Sequence, residues 1–299
     1  MSIWQTKSWQ EMLNKSNQTQ KYFEFDGVFV EKRSIGLGQF GLFVLGVNKK
    51  TFNNEILVKL KKLAKDEKVV FLQVETLGYN ADFLLESIDI KKGYYKKFIT
   101  PFTAIIDLSK SLDEILSLMK PKGRYNIKLA EKKGIKVIEA EKNIENIKAF
   151  YDLMLETTSR DSFSGNSLNY YIDFLNNIES SKLFLAYFEE KIISAGIFTY
   201  EAKEAIYYYG ASTSDSKYRN LMSPYLLQWT AICKAKELSC ETYDFLGVAS
   251  PGDEKSPLKG VTDFKSKFTS DIIEVSTSYI YVNNKIKYNF LQILRKFKR

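Results

Sequence analysis

The sequence predicts an α/β (α+β) chain of two domains in tandem, each a mixed sheet flanked by helices. Three observations carry this. At roughly 100–200 residues per domain, 299 residues favour two domains over one. The hydrophobic fraction is 44% and the charged fraction 27%, the balance of a packed chain and not of a disordered one. Strand-like and helix-like segments also follow the same order twice.

In the first half, a short helix fits Ser8–Lys15. Strand-like runs follow at Tyr22–Phe25, Val28–Arg33 and Phe40–Val47, with Asp26-Gly27 as a hairpin turn. Ile56, Leu60 and Leu63 fall on one face, predicting a helix over Asn54–Lys65. Val69–Val74 reads as a buried strand, Tyr79–Ser87 as a helix and Phe102–Leu108 as a strand.

In the second half, Ser111 and Glu114 have capping-box spacing ahead of a helix at Leu112–Met119. A basic helix at Tyr125–Lys133 ends at Gly134, a fitting helix stop. Ile135–Glu139 is a strand. Ile144, Ile147, Tyr151 and Met154 mark one helix face, and a second helix follows Ser167. Strands come next at Leu183–Phe188, Ile192–Tyr200 and Ala205–Ala211. A polar loop spans Ser212–Ser223, and Pro224 suits the first turn of a helix running to Leu238. Tyr243–Leu246 is a strand, Lys259–Phe268 a helix, Ile272–Val282 a strand, and a last helix ends the chain. This order is similar to the acetyltransferase fold called GNAT, and the first half looks like a reduced copy. The expected borders are 1–107, completed by a helix at 283–299, and 108–282.

The chain has no histidine, which excludes Ser-His-Asp and Cys-His catalysis and the commonest zinc ligand. Two cysteines cannot build a thiolate metal site alone, and they fit a reduced, cytoplasmic setting. No metal or organic cofactor is expected. There is no run long and apolar enough for a transmembrane helix, and the first residues lack a signal peptide's apolar core. The net charge of +8 suits RNA, a nucleotide-linked substrate or an acidic membrane face, although a lysine-rich proteome would also produce it.

Gly36-Leu-Gly38-Gln-Phe-Gly41 matches a dinucleotide loop, but strand-like residues follow it instead of a helix, so it reads as a turn. In the acetyltransferase fold the phosphate loop precedes the helix at Pro224. Here that stretch, Tyr218–Ser223, has no glycine, and Pro224 has no N–H, which disfavours coenzyme A. Arg124, Lys128 and Lys132 lie four apart on one helix face, either a solvated face or a groove for phosphates. Asp244 sits in an apolar strand ending at Gly247, and strand ends are where sites form in open sheets.

Five stretches together resemble the FemABX family of non-ribosomal peptidyltransferases. They are Lys122-Gly-Arg-Tyr-Asn-Ile-Lys-Leu-Ala-Glu-Lys-Lys-Gly134, Glu156-Thr-Thr-Ser-Arg160-Asp, Tyr218-Arg-Asn-Leu-Met-Ser-Pro-Tyr-Leu-Leu-Gln-Trp229, Tyr243-Asp-Phe-Leu-Gly247 and Gly260-Val-Thr-Asp-Phe-Lys-Ser-Lys-Phe268. The first hundred residues match weakly, mainly through Gln5 and Trp9. The resemblance implies two GNAT-like domains with the last helix packed on the first. It also implies transfer of an amino acid from an aminoacyl-tRNA onto the stem peptide of a peptidoglycan precursor. Lys265 matches the lysine of the family's Phe-Lys motif and, with Phe264 and Asp244, forms the expected catalytic set. Tyr209, Tyr170, Arg160, Glu75 and Trp9 are the expected substrate contacts, and Arg124, Lys128 and Lys132 the tRNA contacts. Asn166 stands where an arginine can bind the precursor's phosphates, and Glu75 where an aspartate is usual, which favours a lipid-linked over a nucleotide-linked precursor. Asp244, Asp263, Glu75 or a substrate phosphate could accept the amine's proton. The rivals are an acyl-CoA N-acyltransferase and a non-catalytic tRNA- or membrane-binding relative.

The tail, Lys285 to Arg299, has six basic residues and no acid. Ile286, Phe290, Leu291, Leu294 and Phe297 predict an apolar stripe that docks on the first domain. The basic residues add peripheral contact with the inner membrane face, each contributing about 1 kcal/mol near an anionic leaflet. A cytoplasmic monomer is expected.

Overall fold

The computed structural model describes residues 2–78, 82–86, 89–161, 163–201 and 203–297, and the chain divides into two units. The first comprises Met1–Pro101 and Glu274–Arg299, the second Phe102–Ile273.

The first unit opens with α1 (Lys7–Lys15), whose entry is capped by the Thr6 hydroxyl. Strands β1 (Lys21–Phe25), β2 (Val28–Gly36) and β3 (Gln39–Val47) form an antiparallel meander. Asn53 caps α2 (Asn54–Asp66), which buries Ile56, Leu57 and Leu60, and the chain crosses to β4 (Phe71–Thr76), parallel to β3. The expected helix over Tyr79–Ser87 falls partly outside the described residues; its described part is a 3-10 turn, Asp82–Glu86. A short strand, β5 (Ile90–Lys92), has too few residues to leave a periodic signal.

The second unit starts at β6 (Phe102–Asp107), followed by α3 (Leu112–Leu118) with the expected capping box, and α4 (Pro121–Lys132). Then come β7 (Lys136–Ala140), α5 (Ile144–Asp161), α6 (Leu168–Asn177), β8 (Ser181–Phe188), β9 (Lys191–Glu201) and β10 (Glu204–Ser212). The polar loop contains one helical turn, α7 (Ser216–Arg219), before α8 (Ser223–Glu237). β11 (Thr242–Val248), α9 (Lys259–Lys265) and β12 (Ile272–Glu274) complete it. The sheet order is β12-β6-β11-β10-β9-β8-β7, with β7 to β10 antiparallel and β10 parallel to β11. Apolar side chains of α4 and α8, among them Ile127, Leu227 and Ile232, share one core with Phe198, Tyr243 and Phe245.

The run Ile272–Val282, read as one strand, is two. After β12 the chain leaves for β13 (Ser278–Val282), which lies between β4 and β5 in the other sheet, order β1-β2-β3-β4-β13-β5. The borders therefore fall at 101/102 and 273/274 instead of 107/108 and 282/283. The reason is strand pairing: β6 pairs with β11, and β13 with β4. Both sheets place a parallel pair beside an antiparallel meander, the tandem GNAT-like arrangement that the element order implied.

The last helix, α10 (Lys285–Phe297), belongs to the first unit, where Tyr288 and Leu291 join Phe71, Tyr95 and Ile99 in the core. Its expected inward stripe holds at Leu291, which is buried, and at half-buried Leu294, and is corrected at the other three positions. Ile286, Phe290 and Phe297 point to solvent, because the face that meets the sheet is the one carrying Tyr288 and Leu291.

Candidate active site

The two parallel pairs behave differently. In the first unit β3 and β4 pair from Leu42–Leu72 to Val47–Thr76, and pairing resumes after one irregularity in β3 between Leu45 and Val47. In the second, the pairing of β10 with β11 runs only over Glu204–Ile206 and Thr242–Asp244. Beyond it both strands bulge, β10 between Tyr207 and Tyr209 and β11 between Asp244 and Gly247. Bulges re-aim backbone groups and side chains, and they concentrate beside active sites.

In β11 the bulge is built by the Tyr243–Gly247 motif. Buried Asp244 accepts hydrogen bonds from the Leu246 N–H at 2.6 Å and from the Thr103 hydroxyl, and Leu246 takes a left-handed conformation (φ 55°). The turned carbonyls of Leu246 and Gly247 accept hydrogen bonds from Lys265 Nζ, at 3.2 and 2.8 Å. Lys265, at the end of α9, is only 6% exposed. Burial lowers its pKa to about 8, against the opposing pull of Asp244. Burial in turn raises the Asp244 carboxyl, partly offset by its Thr103 and Leu246 bonds. An ammonium has three donors, so two carbonyl bonds leave one N–H for a further acceptor. The Tyr207 ring lies 6.0 Å from Nζ. Phe264 packs edge-on to Tyr225 at 5.2 Å and to Phe268 at 5.3 Å, which fixes α9 over α8.

The other family-like stretches hold this corner in place. A Cβ on Gly123 would lie 2.4 Å from the backbone oxygen of Lys267, so only glycine lets α4 approach the segment after Lys265 this closely. Lys120 N–H also donates to that oxygen, at 3.1 Å. From α5, Glu156 accepts from Ser214 N–H at 2.7 Å, Thr157 exchanges hydrogen bonds with Ser212, and Arg160 donates to the Ser212 and Thr213 carbonyls while gripping Asp161 with two prongs. This stretch therefore clamps the loop that leads from β10 into α8. In that loop Met222 is left-handed (φ 58°) and α8 starts with no side-chain cap.

The structure brings Lys265, Phe264 and Asp244 to one place, and Tyr170 and Tyr209 to another, their hydroxyls 2.9 Å apart. Residues two apart normally share a strand face, but the bulge sends Tyr207 and Tyr209 to opposite faces. Tyr207 stacks on Phe198 at 5.2 Å, whereas Tyr209 meets Tyr171 and Phe174 of α6 at 5.2 and 5.6 Å. The α4 cations are also unequal. Lys128 and Lys132 are exposed, but Arg124 turns back to the Ser117 and Met119 carbonyls and satisfies the end of α3. In the first unit, Glu75 is fully buried and accepts from Gln73 and from the Phe98 and Ile99 N–H groups, and Trp9 is buried edge-on to Trp4. Both are engaged in holding that unit together. Asp263, another expected proton acceptor, is exposed and paired with Lys259 at 2.5 Å.

The sequence reading missed Thr103, Tyr207 and the paired glycines Gly196 and Gly210. A Cβ on either glycine would strike the Phe198 or Tyr207 ring, so their absent side chains are the space those rings fill. Among the described residues, no group of three or more His, Cys, Asp or Glu could hold a metal ion, and no helix is long and apolar enough to cross a membrane.

The sequence matches the FemAB family over residues 60–190 and 179–296. The lipid II:glycine glycyltransferase of Staphylococcus epidermidis is 23% identical over 325 aligned positions, covering 84% of this chain and 77% of that protein. Aminoacyltransferase FemA of the same species is 24% identical over 295 positions, covering 77% and 69%. A crystal structure of FemX superposes with a TM-score of 0.81 at 18% identity, covering 97% of this chain and 94% of that one, a likeness of fold.

Proposed function

The chain belongs to the FemAB family, and we propose that it moves an amino acid from an aminoacyl-tRNA onto the stem peptide of a lipid-linked peptidoglycan precursor. It is an aminoacyltransferase, and its relatives' names, a lipid II:glycine glycyltransferase and an aminoacyltransferase FemA, support the reading that it builds the bridge between stem peptides. The tRNA donor and the lipid-linked acceptor are the finer parts of this reading, together with a cytoplasmic position and peripheral contact with the inner membrane face.

One observation carries the assignment of the site: Lys265 held by two carbonyls at the parted ends of β10 and β11 with one N–H unspent. The reaction is aminolysis of an ester. The substrate amine attacks the ester carbonyl, whose oxygen becomes an oxyanion. The free N–H of the Lys265 ammonium stabilises that oxygen, usually the largest contribution in acyl transfer. The carbon–oxygen bond to the tRNA ribose then breaks, an amide forms, and the proton lost by the amine ends on the departing ribose oxygen. Asp244 acts as a positioning residue: it fixes the bulge through Leu246 and favours the charged form of Lys265. Phe264 anchors α9. Tyr170 and Tyr209 line the acceptor side on the opposite face of β10, with Arg160 clamping the loop beyond it. Lys128 and Lys132 receive tRNA phosphates.

The test is a donor and acceptor matrix. The purified chain is given aminoacyl-tRNA or acyl-CoA, each with lipid-linked or nucleotide-linked precursor, and the products are read by mass spectrometry. A mass gain of one aminoacyl residue with aminoacyl-tRNA and the lipid-linked precursor is expected. Transfer from acyl-CoA alone would replace the reading with the acyltransferase one.

A further inference from the structure

The last helix has two apolar faces, and the described residues cover only one. Its position is set by the inner face: Tyr288 and Leu291 are buried, and Arg295 donates to the Tyr95 carbonyl with its guanidinium 4.4 Å from the Tyr95 ring. The outer face carries Ile286 (84% exposed), Phe290 (55%), Ile293 (54%) and Phe297 (85%). Their spacing of four, three and four residues makes one continuous stripe along α10. Single exposed apolar residues are ordinary on a protein surface; an unbroken stripe of four large ones is a contact surface.

The charges around the stripe select its occupant. Exposed Lys285 and Lys287 border it on its two sides, and no Asp or Glu occurs from Lys285 to Phe297. Lys91 adds a neighbouring cation, its Nζ 5.9 Å from the Tyr288 ring. A second copy of the chain docking symmetrically through this stripe would bring two basic helices together with no acid from either to pair their charges. An anionic bilayer surface matches both features at once: the apolar stripe enters the acyl boundary while lysines at its borders meet lipid phosphates. We propose that α10 is an interfacial membrane anchor, lying in the plane of an anionic leaflet with the Ile286–Phe297 stripe inserted. The surface stands on its own geometry. Its bearing on catalysis, holding the enzyme where a lipid-linked acceptor resides, rests on the proposed function.

The experiment uses the full chain with vesicles of phosphatidylcholine alone or with added phosphatidylglycerol. Phe290→Trp supplies a reporter at an exposed site that does not disturb the core. Its emission should shift to the blue on anionic vesicles and be quenched by brominated acyl chains. Phe290→Ser with Phe297→Ser should lower vesicle affinity by at least about tenfold with an unchanged circular dichroism spectrum. Lys285→Gln with Lys287→Gln should weaken binding only where anionic lipid is present. An unshifted, unquenched tryptophan on anionic vesicles overturns the proposal, as does a dimer that the serine variant abolishes in a chain that ignores vesicles. Transfer to a short soluble acceptor peptide, measured in the same preparations, separates the two readings: retained transfer without vesicle binding defeats the anchor alone.

Discussion

Lys265 is a cation kept where water would normally be needed to solvate it. Burying an ammonium is costly, and the two carbonyl bonds offset only part of that cost, which is why its pKa falls to about 8. At pH 7 it is still mostly charged, as the proposed oxyanion role requires. Transfer should then fall as pH rises through about 8. Stability should move the other way. The unfolded lysine, at its ordinary 10.5, binds more protons than the native one between about pH 8 and 10.5, so this group's contribution to stability grows with pH there. Falling turnover at rising melting temperature would distinguish this titration from alkaline unfolding. Lys265→Ala should lower turnover by about 10²–10³ while the fold persists, and normal turnover in that folded variant would remove the assignment. Lys265→Arg should keep charge to higher pH and lose the limb near 8, at low activity because a planar fork replaces a compact donor. Gly123→Ala tests the support of the same group from a distance. The added Cβ must displace the Lys267 backbone, costing about 1–3 kcal/mol of stability and lowering turnover. In a Lys265→Ala background the turnover effect should vanish, which a purely global destabilisation would not produce.

At the scale of elements, the difference between the two parallel pairs decides where chemistry can occur. β3 and β4 keep pairing as far as Val47–Thr76, whereas β10 and β11 part after Asp244, and there the buried Lys265 amine meets the turned carbonyls of Leu246 and Gly247. Most elements were legible because burial imposes periods that residue types report, as in α2, β8 and β9. Neither bulge was legible: a bulge is one extra residue in a strand, and Tyr207-Tyr208-Tyr209 reads identically with or without it. For the same reason the sequence singles out Tyr209, as an expected substrate contact, and passes over Tyr207, which lies beside the lysine. The tail stripe misled in another way, since helical spacing identifies an apolar face without saying whether protein or solvent covers it. α4 yields a prediction with unequal parts. Lys128→Gln with Lys132→Gln should flatten the salt dependence of tRNA binding by about 0.7–0.9 in log–log slope for each phosphate no longer neutralised. Arg124→Gln should leave the slope nearly unchanged and lower the melting temperature, because its guanidinium satisfies the end of α3. Equal slopes in wild type and the double-lysine variant would return α4 to a solvated face.

For the whole molecule, the telling feature is that the first unit is made from both ends of the chain, with Phe102–Ile273 inserted between them. β13 is paired on both sides, with β4 and with β5, so the segment after residue 273 closes the middle of the first sheet and not its rim. A chain stopped after Ile273 would leave β4, buried along its whole length, with an open row of N–H and C=O groups. Two bonds from Asn283 to the Ala64 and Val69 carbonyls would also disappear, and with them the tie between α2 and the sheet. A chain stopped after Asn284 keeps β13 and loses only α10, chiefly the burial of Tyr288 and Leu291, on the order of 3–5 kcal/mol for core side chains of this size. The shorter chain should therefore lose slow hydrogen exchange throughout β2, β3 and β4 while β8 to β11 stay protected. The longer one should keep that protection and melt at a lower temperature. Hydrogen exchange read by mass spectrometry on both chains settles it: slow exchange of Val28–Val47 in the chain ending at Ile273 would mean that the first sheet closes without its late strand.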